Sequence, residues 1–134
     1  MFDPASFVRV AVFGAIYAGI EYHYINRQEK EWTKAAEGFH EKPVFWVFSP
    51  YHFYLLLPLF IVTSYSPDLS AWAGNVFFLA VFEDAVYFIW RGKRVSKADW
   101  TTTLMGSFHL ASTEVPAWWP LDILVAAALY WVPA

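Results

Sequence analysis

The sequence predicts an all-α integral membrane protein, a four-helix bundle with a cytoplasmic extension of helix 1 and a short interfacial amphipathic helix before helix 4. The first reason is composition: 58% of the residues are hydrophobic and only 16% are charged, whereas soluble proteins average about 25% charged residues. The second reason is that the apolar residues form four runs separated by polar connections. We therefore expect one transmembrane domain over residues 1–134.

The lengths of the apolar runs set the predicted helices. Because an α-helix rises about 1.5 Å per residue, it takes about 20 residues to cross about 30 Å of hydrocarbon. The first three runs reach that length, and the fourth is marginal. The predicted transmembrane helices are residues 6–37, 44–65, 69–91 and 116–132.

A short interfacial helix is predicted at residues 98–111, in the connection before helix 4. The residues that recur there at helical spacing are Trp100, Leu104, Phe108 and Ala111. This spacing is typical of an amphipathic helix on a membrane surface. We expect the segment to cover polar groups at the end of the bundle.

The distribution of Lys and Arg predicts the orientation. Of the 9 basic residues, four lie between the first two runs and four follow the third run. Connections on the cytoplasmic side carry the excess of basic residues, so both termini are expected outside. The predicted location is the cell (inner) membrane. Membrane lipid is the expected partner, and a homo-oligomer or a larger membrane complex is a further option.

Composition also excludes several classes of function. There is no cysteine, so disulfides, thiolate metal ligands and a catalytic thiol are ruled out. The net charge of -3 does not favour a nucleic-acid partner. The 8 Trp and 8 Tyr are better interpreted as anchors at the membrane interface.

Two adjacent acids, Glu83 and Asp84, lie inside the third apolar run. An ionised carboxylate at the centre of a membrane helix costs about 2.5 to 3.5 kcal/mol on insertion scales, so such groups are usually paired, hydrated or metal-bound. At 100° per residue, both acids share a narrow helix face with small residues, while phenylalanines cover the rest. We expect both carboxylates to face the interior of the bundle.

Other ionisable residues are predicted at a similar depth, near the cytoplasmic surface. Glu21, His23 and His52 lie in the first two runs, and Glu21 and His23 project to opposite sides of a regular helix. Because the Glu21 carboxylate must be solvated, whereas a neutral His23 can reach the interface, Glu21 is the expected member of a site with the acids. Asp122 lies near the start of helix 4, and His109 and Glu114 lie in the preceding connection.

Carboxylates and imidazoles on facing helices are suited to binding iron, zinc or manganese. The candidate metal ligands are Glu83, Asp84, Glu21, His52, His109, His23, Glu114 and Asp122. The pattern lacks a Glu-x-x-His or His-Glu-x-x-His motif, so it predicts a polar intramembrane site more strongly than a particular divalent metal. Such an ion could activate water or dioxygen beside a membrane-soluble or interfacial substrate. No catalytic residue is assigned.

Four alternatives remain open. The acids can be protonated and hydrogen-bonded, without a functional role. The chain can be a non-catalytic subunit of a larger membrane complex. A haem between His23 and His52 is disfavoured by the neighbouring carboxylates. Proton conduction would use similar residues, but polar side chains would then be expected in both halves of the membrane.

The C-terminal half also resembles a set of small uncharacterised multi-span membrane proteins. The resemblance is carried by Glu83-Asp84 followed by Tyr87-Phe88, by the basic turn from Gly92 to Val95, by His109, and by the segment from Pro116 to Trp119. It implies no activity. It implies only that the adjacent acids Glu83 and Asp84, His109 and the start of helix 4 work together.

Overall fold

The computed structural model describes residues 2–25, 52–97, 99–103 and 105–132. These residues are mostly helical, with one small two-stranded antiparallel sheet. Helix α1 (Pro4–Ile20) continues as a π-helical turn, Glu21–Ile25, and a second π-helical turn, His52–Leu56, leads into α2 (Leu57–Thr63). The later elements are α3 (Leu69–Arg91), α4 (Trp100–Thr103), β1 (Ser107–Leu110), β2 (Thr113–Pro116) and α5 (Trp118–Trp131).

Local sequence signals fix both ends of α3. The Asp68 side chain accepts hydrogen bonds from the backbone N–H groups of Ser70 and Ala71, at 2.9 and 3.1 Å, which is the usual role of an N-terminal cap. Gly92 ends the helix at a φ of 65°, a left-handed conformation that glycine adopts without steric cost. The observed range, Leu69–Arg91, is the range expected from the apolar run.

The other predicted helices are described only in part. The charged extension of helix 1 beyond Ile25 and the start of helix 2 before His52 lie outside the described residues. The last helix begins at Trp118, two residues later than predicted, because Thr113–Pro116 forms a strand.

The predicted interfacial helix over residues 98–111 is wrong. The helix there has only four residues, Trp100–Thr103, and a β-hairpin follows. Gly106 and Ala111 both have positive φ, 79° and 55°, which interrupts a right-handed helix. After the turn, the β-branched residues Thr113 and Val115 favour the extended conformation.

Helix α3 lies at the centre and packs against α1 on one side and α5 on the other. Val10 and Leu79 are fully buried in the core, where they contact the aromatic rings of Tyr17 and Phe60. Gly14 permits the close approach of α1 to α3, since a Cβ there would lie 2.9 Å from Leu79 Cδ1.

Two helical stretches, Pro4–Tyr24 and Leu69–Arg91, are long and apolar enough to cross a membrane, judged by length and composition alone. On α1 the side chains that face away from the other helices are also apolar. They form an exposed stripe of Val8, Val12, Ile16 and Ile20. A continuous exposed apolar stripe is suited to contact with lipid or with another apolar surface.

A buried polar network joins four segments at the end of the structure where α3 begins. Asn75 is 1% exposed, and its Nδ2 donates to Ser6 Oγ and to the Ser64 carbonyl oxygen, both at 3.0 Å. Its Oδ1 accepts a hydrogen bond from the Tyr130 hydroxyl at 2.9 Å. One amide therefore connects α3 to α1, to the end of α2 and to α5.

Substituting Gly74 with alanine is expected to destabilise the protein by about 1 to 3 kcal/mol, the usual cost of overpacking. A Cβ at this position would lie 2.8 Å from Tyr130 Cε1 and 3.2 Å from the Ala126 carbonyl oxygen. The Tyr130 ring cannot move away without breaking its bond to Asn75. Unfolding in mixed detergent micelles measures the effect. The control is Ala127→Val on the exposed side of α5, and equal stability of the two variants would contradict the prediction.

Candidate carboxyl site

The centre of the candidate site is a pair of carboxyl groups from two helices, which we call the acid pair: Glu21 and Glu83. Glu83, on α3, is 5% exposed, and its carboxyl group lies close enough to that of Glu21 for the two groups to interact. An ionised carboxylate is only an acceptor, so two carboxyl groups can share a hydrogen bond only when one carries a proton. Two neighbouring carboxyl groups of this kind can share a proton.

The π-helical turn at the end of α1 sets the direction of Glu21. The turn spans Glu21–Ile25, where the wider backbone departs from regular α-helical spacing. Glu21 reaches Glu83, whereas His23 is exposed, with its ring 5.5 Å from that of Trp90. His23 thus lies against an indole rather than in the acid pair.

One oxygen of the acid pair has no hydrogen-bond partner. Glu83 Oε1 is buried, and no group of the described chain donates to it. Leaving a buried carboxyl oxygen unsatisfied typically costs about 1 to 3 kcal/mol, so such atoms are rare in native proteins and call for an explanation. Among the described residues, Ser64 Oγ, Ser66 Oγ and Arg91 Nε are likewise buried without a hydrogen-bond partner, and Glu83 Oε1 is the one of these atoms that lies next to a second carboxyl group.

Asp84 has partners of its own, in the connection between α3 and α5. It is 3% exposed, and its Oδ2 accepts hydrogen bonds from Thr101 Oγ1 at 2.6 Å and from Trp119 Nε1 at 2.8 Å. Trp118 extends the network, since its Nε1 donates to the Thr101 carbonyl oxygen at 3.0 Å. Asp84 therefore anchors α4 and the start of α5 to α3.

A second anchor holds the connection to the end of α3. The Arg91 guanidinium donates to Asp99 through both terminal nitrogens, at 2.5 and 3.0 Å, and lies 4.4 Å from the centre of the Phe88 ring. Burial would raise the pKa of Asp99, but the hydrogen bonds from Arg91 and Ser96 outweigh it and lower that pKa. The connection is thus fixed beside the carboxyl site.

His109 and Glu114 form a separate pair across the β-hairpin. They are register partners, with His109 Nδ1 3.2 Å from Glu114 Oε1, and Ser107 Oγ donates to Glu114 Oε2 at 2.7 Å. The hydrogen bond from Ser107, followed by that from His109, lowers the pKa of Glu114. The two predicted ligands bind each other here rather than the acid pair.

The structure thus divides the predicted ligand set. Glu21 and Glu83 come together, Asp84 has other partners, and His109 pairs with Glu114. His52 and Asp122 are half-buried on the second apolar segment and on α5. Within the described ranges, no group of three or more His, Asp or Glu side chains is arranged to hold a metal ion.

The resemblance implied that the start of helix 4 works with Glu83 and Asp84, but no sequence pattern identified Thr101 and Trp119 as the donors to Asp84, or Trp118 as a donor to Thr101. A signal for two of them was present, because a buried indole N–H needs an acceptor and two adjacent tryptophans lie at the start of the last helix. Thr101 gave no such signal. Its role depends on how the connection folds back onto α3.

Fold and site together define a mostly helical protein with two potential membrane spans and two neighbouring carboxyl groups, of which Glu83 is buried and Glu21 is half-buried. No protein-family model matches the sequence, and neither a curated protein nor a solved structure shows significant similarity to it. The resemblance of residues 83–119 to small multi-span membrane proteins is therefore not supported by a matching family.

Proposed function

We propose that the chain is a multi-pass membrane protein whose acid pair, Glu21 and Glu83, binds a divalent metal ion. The observation that carries the proposal is the buried, unpartnered Oε1 of Glu83 next to a second carboxyl group. A metal ion bound between the two groups would replace the shared proton and satisfy this oxygen. It would also remove the electrostatic cost of two buried acids.

The membrane location is supported by the apolar surface of the helices. The exposed stripe on α1 and the apolar composition of α3 are suited to lipid contact. In the four-helix arrangement that we propose, the second apolar segment and α5 also cross the membrane. In this arrangement the basic residues after α3 lie in the cytoplasm. The acid pair lies within the membrane, near its cytoplasmic surface.

The chemistry of the acid pair favours Mn²⁺ or Fe²⁺ over Zn²⁺. Carboxylate oxygens are hard ligands, and ions of this kind often bind through one or two carboxylates while retaining water molecules. Zinc sites normally include imidazole or thiolate; the chain has no cysteine, and among the described residues no histidine joins the two acids in a group of three possible ligands. A bound ion with open positions polarises an oxygen of a substrate or activates water. Because the acid pair would lie within the membrane near its cytoplasmic surface, the expected substrate is membrane-soluble or interfacial.

Metal analysis tests this function. Purified protein is incubated with Mn²⁺ in detergent, and the bound ion is measured by mass spectrometry and by electron paramagnetic resonance. We expect about one ion per wild-type chain, and at least a tenfold weaker affinity in Glu83→Gln and Glu21→Gln, as is common when metal-site groups are altered. The matched control is Glu114→Gln, which removes a buried carboxylate outside the acid pair and leaves the affinity unchanged.

Two results would contradict the metal proposal. One is a wild-type chain that binds neither Mn²⁺ nor Fe²⁺, with Gln variants at 21 and 83 as stable as the wild type. The acid pair would then hold only a proton. The other is metal binding that survives in both Gln variants. A chain that purifies only with partner proteins, and whose acids tolerate Gln, would instead support a non-catalytic subunit.

A further inference from the structure

The β-hairpin between α3 and α5 has two faces of opposite character. Side chains alternate across a strand, so Ser107, His109 and Glu114 share one face and are hydrogen-bonded to one another. Phe108 and Leu110 lie on the opposite face. One face is polar and internally satisfied, and the other is apolar.

The apolar face is uncovered in the described structure. Phe108 is 46% exposed and Leu110 is 59% exposed, and Met105, just before the hairpin, is 57% exposed. Large apolar side chains grouped on one exposed face mark a contact surface more often than isolated ones do. We call these three residues the hairpin apolar patch.

The hairpin lies at the level where the helices end. The backbone N–H of Ala117 donates to the Gly106 carbonyl oxygen at 3.0 Å, which closes the base of the hairpin one residue before α5 begins. Trp118 and Trp119 follow directly, and tryptophan is enriched at membrane interfaces. If α3 and α5 cross the membrane, the patch lies at the boundary between headgroups and acyl chains.

Basic residues lie along the outer side of β2. The Val95 carbonyl oxygen accepts hydrogen bonds from the Glu114 backbone N–H at 3.0 Å and from Thr113 Oγ1 at 3.3 Å, which holds the stretch around Val95 against β2. The exposed basic residues of this stretch are Lys93, Arg94 and Lys97. Basic residues near an anionic membrane surface are attracted to it.

We propose that the hairpin docks onto the anionic lipid surface of the membrane. Met105, Phe108 and Leu110 enter the boundary between headgroups and acyl chains. Lys93, Arg94 and Lys97 bind lipid phosphates. An apolar face accompanied by positive charge favours a surface that is both apolar and anionic. An anionic lipid surface meets both conditions, whereas a neutral lipid or an uncharged protein surface does not. The inference rests on the membrane location in the proposed function but not on the metal ion.

Spin labelling tests the docking, and the chain is suited to it because a single introduced cysteine is its only thiol. Labels are placed in turn at Phe108→Cys, His109→Cys and Leu110→Cys, in nanodiscs with phosphatidylglycerol and in nanodiscs of phosphatidylcholine alone. We expect the ratio of oxygen to water-soluble nickel accessibility to be severalfold higher at 108 and 110 than at 109. The difference should shrink in phosphatidylcholine, and in a variant with Lys93, Arg94 and Lys97 changed to Gln.

A label at Val12→Cys, on the exposed stripe of α1, separates failure of docking from failure of the membrane location. Lipid exposure at 12 with water exposure at 108 and 110 would overturn the docking but leave the spanning helices in place. Water exposure at all four positions would overturn both. Equal protection at 108 in the two lipids would overturn the role of charge. Labels shielded from oxygen and nickel alike would indicate a protein partner and overturn lipid docking.

Discussion

Replacing Asp84 with alanine is expected to lower the free energy of unfolding by about 2 to 4 kcal/mol. The carboxylate accepts two buried hydrogen bonds, from Thr101 Oγ1 and from Trp119 Nε1. Removing it leaves both donors without an acceptor, and each unsatisfied buried group costs about 1 to 3 kcal/mol. Unfolding in mixed detergent micelles, followed by circular dichroism, measures the loss. The indole fluorescence of the variant should also show greater exposure of Trp119.

The matched variant is Asp84→Asn. Both donors bind the same oxygen, Oδ2, and a single amide oxygen has two lone pairs with which to accept both hydrogen bonds. Asparagine should therefore retain most of the stability, with a loss below about 1 kcal/mol. If asparagine is as damaging as alanine, Asp84 acts through its charge, and its role as a hydrogen-bond anchor is wrong.

Replacing Asn75 with leucine is expected to have a comparable effect, about 2 to 4 kcal/mol, at the opposite end of the structure. The amide makes hydrogen bonds to Ser6, Ser64 and Tyr130 in a position that is 1% exposed. Leucine has a similar size but leaves all three hydrogen-bond partners of Asn75 unsatisfied. Hydrogen bonds between membrane helices contribute about 0.6 kcal/mol each on average, with a maximum near 1.7 kcal/mol, and three of them are lost together. The free energy of unfolding is measured as for Asp84.

Tyr130→Phe provides the control for Asn75. It removes one of the three hydrogen bonds and should cost about 1 kcal/mol. In the Asn75→Leu background the same change should cost almost nothing, since the bond is already absent. Full additivity of the two substitutions would show that the two side chains do not stabilise the protein through their contact.

The parts of the fold that could be predicted are those with local signals. Asp68 and Gly92 cap α3, and its apolar run is long enough to define a helix. The connection after α3 was misinterpreted because Trp100, Phe108 and Ala111 also recur at helical spacing. The competing signal, alternation of Phe108 and Leu110 with polar residues, is short and became decisive only through pairing with Thr113–Pro116.

The candidate site could be predicted in part, because some of its residues also carry local signals. Helical phase separated Glu21 from His23, the need to solvate a carboxylate favoured Glu21, and the structure brings Glu21 near Glu83. The hydrogen-bond partners of Asp84 could not be predicted from local sequence, because Thr101 and Trp119 lie 17 and 35 residues away along the chain. Contacts of that kind depend on the path of the connection. The Asn75 network was missed likewise, since a lone amide in an apolar run gives no indication of its partners.

The adjacency of Glu83 and Asp84 has a consequence for how α3 can move. Neighbouring helical residues project about 100° apart, so Glu83 faces Glu21 at the end of α1 while Asp84 accepts hydrogen bonds from α4 and α5. Turning α3 about its own axis would break the Asp84 hydrogen bonds or move Glu83 away from Glu21. The two acids therefore fix the rotational setting of the central helix.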